Sequence, residues 1–131
     1  MNRPRVLVAD DHRVMLDSLV QLLSSEFEVV AAVRDGISVV TSTERLGPDL
    51  LVLDIAMPGL SGIAAAARVR KNGSTAKVVF VTNLHDRAFV RESLALGQVG
   101  FVAKDRLVAD LLPAIRTVLS GRPFVSPSVA L

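Results

Sequence analysis

Residues 50–62 read LLVLDIAMPGLSG, and the opening of that stretch decides the architecture. Leu50–Leu53 is a short apolar run stopped by an acid, Asp54, and then by the turn-forming pair Pro58-Gly59. It shows no apolar–polar alternation. A run of this kind suits a strand buried on both faces, as in parallel sheets covered by helices. Four similar runs stand on either side of it: Val6–Ala9, Val29–Val33, Val78–Val81 and Phe101–Ala103. Between them lie segments with helical spacing. His12–Ser25 puts Leu16, Leu19, Val20 and Leu23 on one face, and the last segment carries Val108, Leu111, Ile115 and Val118 at the same spacing. Ile37–Leu46, Ile63–Lys71 and Arg87–Leu96 are weaker but long enough for helices. Strand and helix alternating five times predict an α/β fold, a doubly wound parallel sheet with helices on both faces.

The punctuation agrees. Gly36 follows the second run, and Gly47-Pro48, Gly73, Gly97 and Gly121 each follow a helical segment. Pro113 either sits near the start of the last helix or kinks it, and a helix beginning near Val108 is expected. Ala64–Ala67 reads as a tightly packed helix face. Residues 1–121 are expected to form one domain. Arg122–Leu131, with two prolines and two serines, reads as the start of a linker to a further domain.

Composition narrows the function. The chain has 131 residues, enough for one well-filled core, and half of them are hydrophobic. No apolar run reaches the roughly 18–20 residues of a membrane span, and the charged N-terminus does not resemble a secretory signal. Cytoplasmic residence is the expectation. With no cysteine, disulfides, thiolate zinc sites and thiol catalysis are excluded. Two histidines, His12 and His85, exclude a multi-histidine metal site, and His85 reads as a loop residue. The net charge is only +2, and the densest basic group, Arg68, Arg70 and Lys71, reads as a solvated helix face. Without Trp or Tyr the chain lacks the usual stacking platforms for single strands. Gly59 and Gly62 make no dinucleotide fingerprint, and no P-loop pattern is present.

The chemistry lies at the strand ends. Asp10 and Asp11 follow the first run and Asp54 the third. Ligands of open parallel sheets bind beyond the carboxyl ends of the strands, where strand order reverses. If the first and third strands are neighbours, three carboxylates converge, and an oxygen-only site of that size favours Mg2+. Thr82 ends the fourth run and Lys104 the fifth on the same edge. A lone strand-end aspartate is ordinarily a helix cap. Five such residues on one edge suit phosphoryl transfer: a carboxylate nucleophile, a cation and a lysine to neutralise charge, and a hydroxyl to donate.

These segments also carry a resemblance. VLVADDHRVMLDSLVQLL resembles the opening of response-regulator receiver domains, and LLVLDIAMPGLSGIAAAARVR their phosphorylation segment. VVFVTN and GFVAKD resemble the fourth and fifth strands, ending in the hydroxyl and lysine residues. The resemblance spans about residues 5–121. The Asp-Asp-His opening and the tail SGRPFVSPSVA are most similar to the NarL/FixJ branch. It implies a flavodoxin-like (CheY-like) fold with strand order 2-1-3-4-5 and Asp54 as phosphoacceptor. Mg2+ would be held directly by Asp11 and Asp54, through water by Asp10, and by the backbone carbonyl of Ala56. Lys104 would pair with Asp54 and then with the phosphoryl group. Thr82 would turn inward with Phe101 following it as the switch. The implied partners are a sensor histidine kinase, a second copy on phosphorylation, and DNA only through a C-terminal helix-turn-helix domain. The implied role is a signalling switch, not a turnover enzyme.

Three departures stand out. Asn83 follows Thr82 where the family favours small residues, Phe101 has no hydroxyl, and Gln98-Val99 replaces small residues before the fifth strand. Two other functions use the same residues. An aspartyl-phosphate phosphohydrolase would turn over phosphate esters, but its aspartates usually stand as Asp-x-Asp after the first strand. An atypical receiver serving only as an interaction scaffold would not bind magnesium.

Overall fold

The structure is a computed structural model that describes residues 3–83, 91 and 99–126. Its strands are β1 (Arg5–Ala9), β2 (Glu28–Val33), β3 (Leu50–Asp54), β4 (Lys77–Thr82), β5 (Val99–Ala103) and β6 (Phe124–Val125). Its helices are α1 (Arg13–Ser24), α2 (Gly36–Leu46), α3 (Gly62–Lys71) and α4 (Leu107–Leu119), the last preceded by a 3-10 turn at Lys104–Arg106. The helix expected over residues 87–96, its stop at Gly97, and His85 and Gln98 fall, Arg91 aside, outside the described residues.

All pairings in the sheet are parallel, and the order is β2-β1-β3-β4-β5-β6. The expected order 2-1-3-4-5 is therefore present, extended by one short edge strand. That strand comes from the segment read as linker. Phe124 and Val125 pair with Gly100 and Phe101, and the Ser126 amide donates to the Phe101 carbonyl at 2.8 Å. The polar, Pro-containing composition of the tail suggests a linker, but an open β5 edge offers it backbone partners, which composition does not reveal.

The helices cover the sheet with most of the face their spacing sets, but two expected members fall outside it: Val108, in the first turn of α4, is 87% exposed, and Val20 of α1 is only half-buried. Leu16, Leu19 and Leu23 of α1 and Leu111, Ala114, Ile115 and Val118 of α4 pack on Val6, Val8, Leu50, Val52, Val79, Val81 and Val102. Val39 and Val40 of α2 and Ile63, Ala65, Ala66 and Val69 of α3 pack on the other face, against Leu7, Leu51, Leu53, Phe80 and Phe101. The central strand β3 is buried at every position, which is why its sequence is unbroken by polar residues. Each such aliphatic side chain contributes roughly 1.5–3 kcal/mol by burial.

The caps explain where helices start and stop. Asp35 accepts from the Ser38 amide at 2.8 Å at the head of α2, and Ser61 accepts from the Ala64 amide at 3.2 Å at the head of α3. Gly47 ends α2 in the left-handed region at φ 55°. The α4 helix starts at Leu107 and runs through Pro113, so the proline lies within the helix, not in its first turn. None of the helices among the described residues is long and apolar enough to cross a membrane.

Candidate functional site

The β1–β3 pairing decides the site. Ala9 lies opposite Leu53, so the next residues of both strands, Asp10 and Asp54, emerge side by side at the carboxyl edge. Both are buried, at 0% and 3% exposure. Lys104 follows β5 directly, and its side chain, 7% exposed, reaches back across the edge. Its ammonium lies 3.1 Å from Asp10 Oδ2 and 3.4 Å from Asp54 Oδ2. Asp54 Oδ1 accepts from the Ala56 amide at 3.3 Å. Asp10 Oδ1 accepts from the His12 amide at 2.9 Å, which fixes the turn into α1.

The turn after Asp54 is held as closely. The amides of Met57 and Gly62 both donate to the Ile55 carbonyl, and Met57 is buried beneath its loop. A Cβ at Gly62 would collide with the Asp54 carbonyl oxygen. Only glycine lets α3 begin that close to the strand end.

Burial first, and the neighbouring Asp10 charge second, push the Asp54 carboxyl up to about 6. Lys104 and the Ala56 amide oppose this but do not cancel it. Two buried oxygens, Asp10 Oδ2 and Asp11 Oδ1, have no hydrogen-bond partner. Asp10 Oδ2 does face the Lys104 ammonium at 3.1 Å. We take this as an ion pair of poor hydrogen-bond geometry, which leaves lone pairs free. Ligand atoms of Asp10, Asp11, His12 and Asp54 lie within 4.8 Å of one another. Crowded carboxylate oxygens with unused lone pairs fit a small hard divalent cation such as Mg2+.

Asp10, Asp11, Asp54 and Lys104 are thus brought together at one edge, with Ala56 beside Asp54. Thr82 ends β4 opposite Ala103 on the same edge and is 1% exposed, while Asn83 after it is exposed. Phe101 lies deeper, wholly buried, with its ring 6.2 Å from that of Phe80. Sequence reasoning passed over His12, which the acidic pair brings to the site simply by preceding it in the chain. It also missed a polar knot behind the edge. Ser126 Oγ donates to Asp110 at 2.6 Å and accepts from the Ala103 amide at 3.2 Å, and Arg106 Nε donates to the same carboxylate at 2.8 Å. Arg106 and Asp110 stand four residues apart, a helical pairing legible in the sequence, but no spacing signal brings Ser126 to them.

The sequence matches the family described as the response regulator receiver domain over residues 6–116, most of its length. The chain belongs to that family. This receiver is similar to the response regulator GacA of Pseudomonas viridiflava, at 30% identity over 96% of this chain and 60% of the relative. It is 28% identical to the transcriptional regulatory protein DegU of Brevibacillus brevis, over 98% of this chain and 55% of the relative. The receiver spans little more than half the length of these relatives. Among solved structures it resembles the signal receiver domain of the putative response regulator NarL from Mycobacterium tuberculosis. There the TM-score is 0.87 and the identity 30%, over 93% of this chain and 100% of that one. The relatives place it with the NarL/FixJ-type receivers. Receivers are regulatory switches of two-component systems that work with sensor histidine kinases, often dimerise and bind Mg2+ in an acidic pocket.

Proposed function

We propose that this receiver is a phosphorylation-dependent switch in which Asp54 accepts a phosphoryl group from a phosphohistidine on a sensor histidine kinase. One observation carries the reading: a buried lysine ammonium bridges Asp10 and Asp54, 3.1 and 3.4 Å away, beside carboxylate oxygens with unused lone pairs. An Asp54 carboxylate oxygen attacks phosphorus as the P–N bond to imidazole breaks, and the imidazole nitrogen keeps the electron pair. Return to the resting state is attack of water on the acyl phosphate, releasing phosphate and regenerating the carboxylate. The chain acts only on its own phosphoryl group, so it is not a turnover enzyme.

Asp11, Asp54 and the Ala56 carbonyl would hold Mg2+, with Asp10 in support, since its two oxygens already face the His12 amide and Lys104. The ion supplies positive charge to the transferring phosphoryl oxygens. Lys104 moves its charge from the Asp54 carboxylate to the phosphoryl group, and the Thr82 hydroxyl donates to one of its oxygens. Inward turning of Thr82 is followed by repacking of Phe101, which can report only through packing because it has no hydroxyl. The phosphorylated state then favours a dimer or frees an effector domain. Relatives that include a transcriptional regulatory protein support transcription as the output, through a helix-turn-helix domain beyond residue 131. Residues 1–121 are the receiver proper in this reading, and 122–131 begin the connection.

The test is labelling with a small phosphodonor in Mg2+, followed by intact mass. Wild type gains one phosphoryl group, and Asp54→Asn and Asp54→Ala gain none. Undiminished labelling of either variant would defeat the assignment, and sustained turnover of phosphate esters would favour the phosphohydrolase instead.

A further inference from the structure

The acidic cluster contains one nitrogen donor that the proposed switch chemistry does not use. We infer that His12 lends its Nδ1 to this cluster as a ligand for borderline divalent ions such as Ni2+ and Zn2+, giving the site a second binding mode that Mg2+ does not share. This rests on the reading of the cluster as a cation site.

The His12 Nδ1 lies 3.3 Å from Asp11 Oδ1 and 3.6 Å from Asp10 Oδ1. With metal–ligand bonds of about 2.0–2.1 Å, neighbouring ligand atoms stand about 3.0 Å apart in an octahedron and about 3.4 Å in a tetrahedron. The Asp11–His12 spacing falls between these values. The ring is also free of other work. His12 is the N-cap residue of α1, yet its side chain makes no capping hydrogen bond. It is 75% exposed, so an ion from solvent meets it first. Asp11 Oδ1, the atom nearest the ring, is itself shielded from solvent and makes no hydrogen bond, although its side chain is 30% exposed, so its lone pairs are open to an ion held between the two side chains.

The chemistry separates the ions. Mg2+ takes oxygen ligands and keeps several waters, so an imidazole beside it adds little. Imidazole suits Zn2+ and Ni2+, and affinities for nitrogen-containing sites rise along the first-row series to Cu2+. A histidine that merely hydrogen-bonds Asp11 would affect all these ions alike.

Calorimetric titration of tag-free, chelator-treated protein tests this, with Ni2+ and Mg2+ run separately on wild type, His12→Ala and His12→Gln. Loss of the imidazole should weaken Ni2+ binding by about tenfold or more and change Mg2+ binding by less than roughly twofold. In wild type, added Zn2+ should shift the His12 Nδ1 nitrogen resonance, and added Mg2+ should not. Ni2+ affinity that is absent in wild type, indifferent to both substitutions, or reduced in step with Mg2+ affinity overturns the inference. Failure of wild type to take up Mg2+ at all would instead remove the cation-site reading beneath it.

Discussion

Asp54 is held at a cost to the protein. Its folded-state pKa of about 6 stands above the usual 3.8, chiefly through burial and secondarily through Asp10. The native state therefore holds a proton more tightly than the unfolded chain does. Between those two values stability falls as pH rises, and above about 6 the full penalty is present. A shift of this size corresponds to roughly 3 kcal/mol at most. Asp54→Asn should thus be more stable than wild type at pH 7 in chelator, with the gap closing as pH falls from about 6 towards the usual carboxylate value of 3.8. Denaturant melts at pH 4 and 7 measure this. A variant less stable than wild type at pH 7 would show that the Lys104–Asp54 pair, and not desolvation, dominates.

At the scale of elements, β6 is held by its pairing with β5 and by one serine beside it. The Ser126 hydroxyl joins the Ala103 amide to the Asp110 carboxylate, and its amide continues the pairing to Phe101. The Arg106 guanidinium and the Ser126 hydroxyl hold the Asp110 carboxyl below the usual carboxylate range against its burial. Ser126→Ala leaves the buried Ala103 N–H without a partner, a loss of about 1–3 kcal/mol. Amide exchange in Phe124–Ser126 should quicken, while exchange in β3 should change only as far as global stability falls. Unchanged exchange in the β6 region would mean that backbone pairing alone secures the strand. The knot adjoins Lys104 in sequence, so its loosening should also be visible at the site.

For the molecule as a whole, the proposed cation site lies between β1 and β3, where it would tie together the ends of segments distant in sequence. An ion that binds only this folded arrangement stabilises it by mass action, about 2.7 kcal/mol at a hundred times its dissociation constant. In a domain of this size that is a rise in Tm of roughly 10 °C. Thermal melts with and without Mg2+ should show such a rise in wild type and little in Asp11→Asn. Equal rises in both proteins would place the ion elsewhere.

The sequence by itself determined the five longer strands, most of each described helix's buried face, and the edge on which the acidic residues gather. Leu50–Leu53 is apolar throughout because β3 is covered on both sides, and Asp54 follows because its strand ends there. Such information is local: period, length and punctuation are written in neighbouring residues. The branch resemblance likewise rested on short motifs in register. Only the tertiary structure decided that Asp10 and Asp54 share one lysine, that His12 stands among the carboxylates, and that Phe124 and Val125 of the tail pair with β5. Those facts depend on strand order and on which backbone edge remains open, and residues far apart in the chain carry no periodic signal of their meeting.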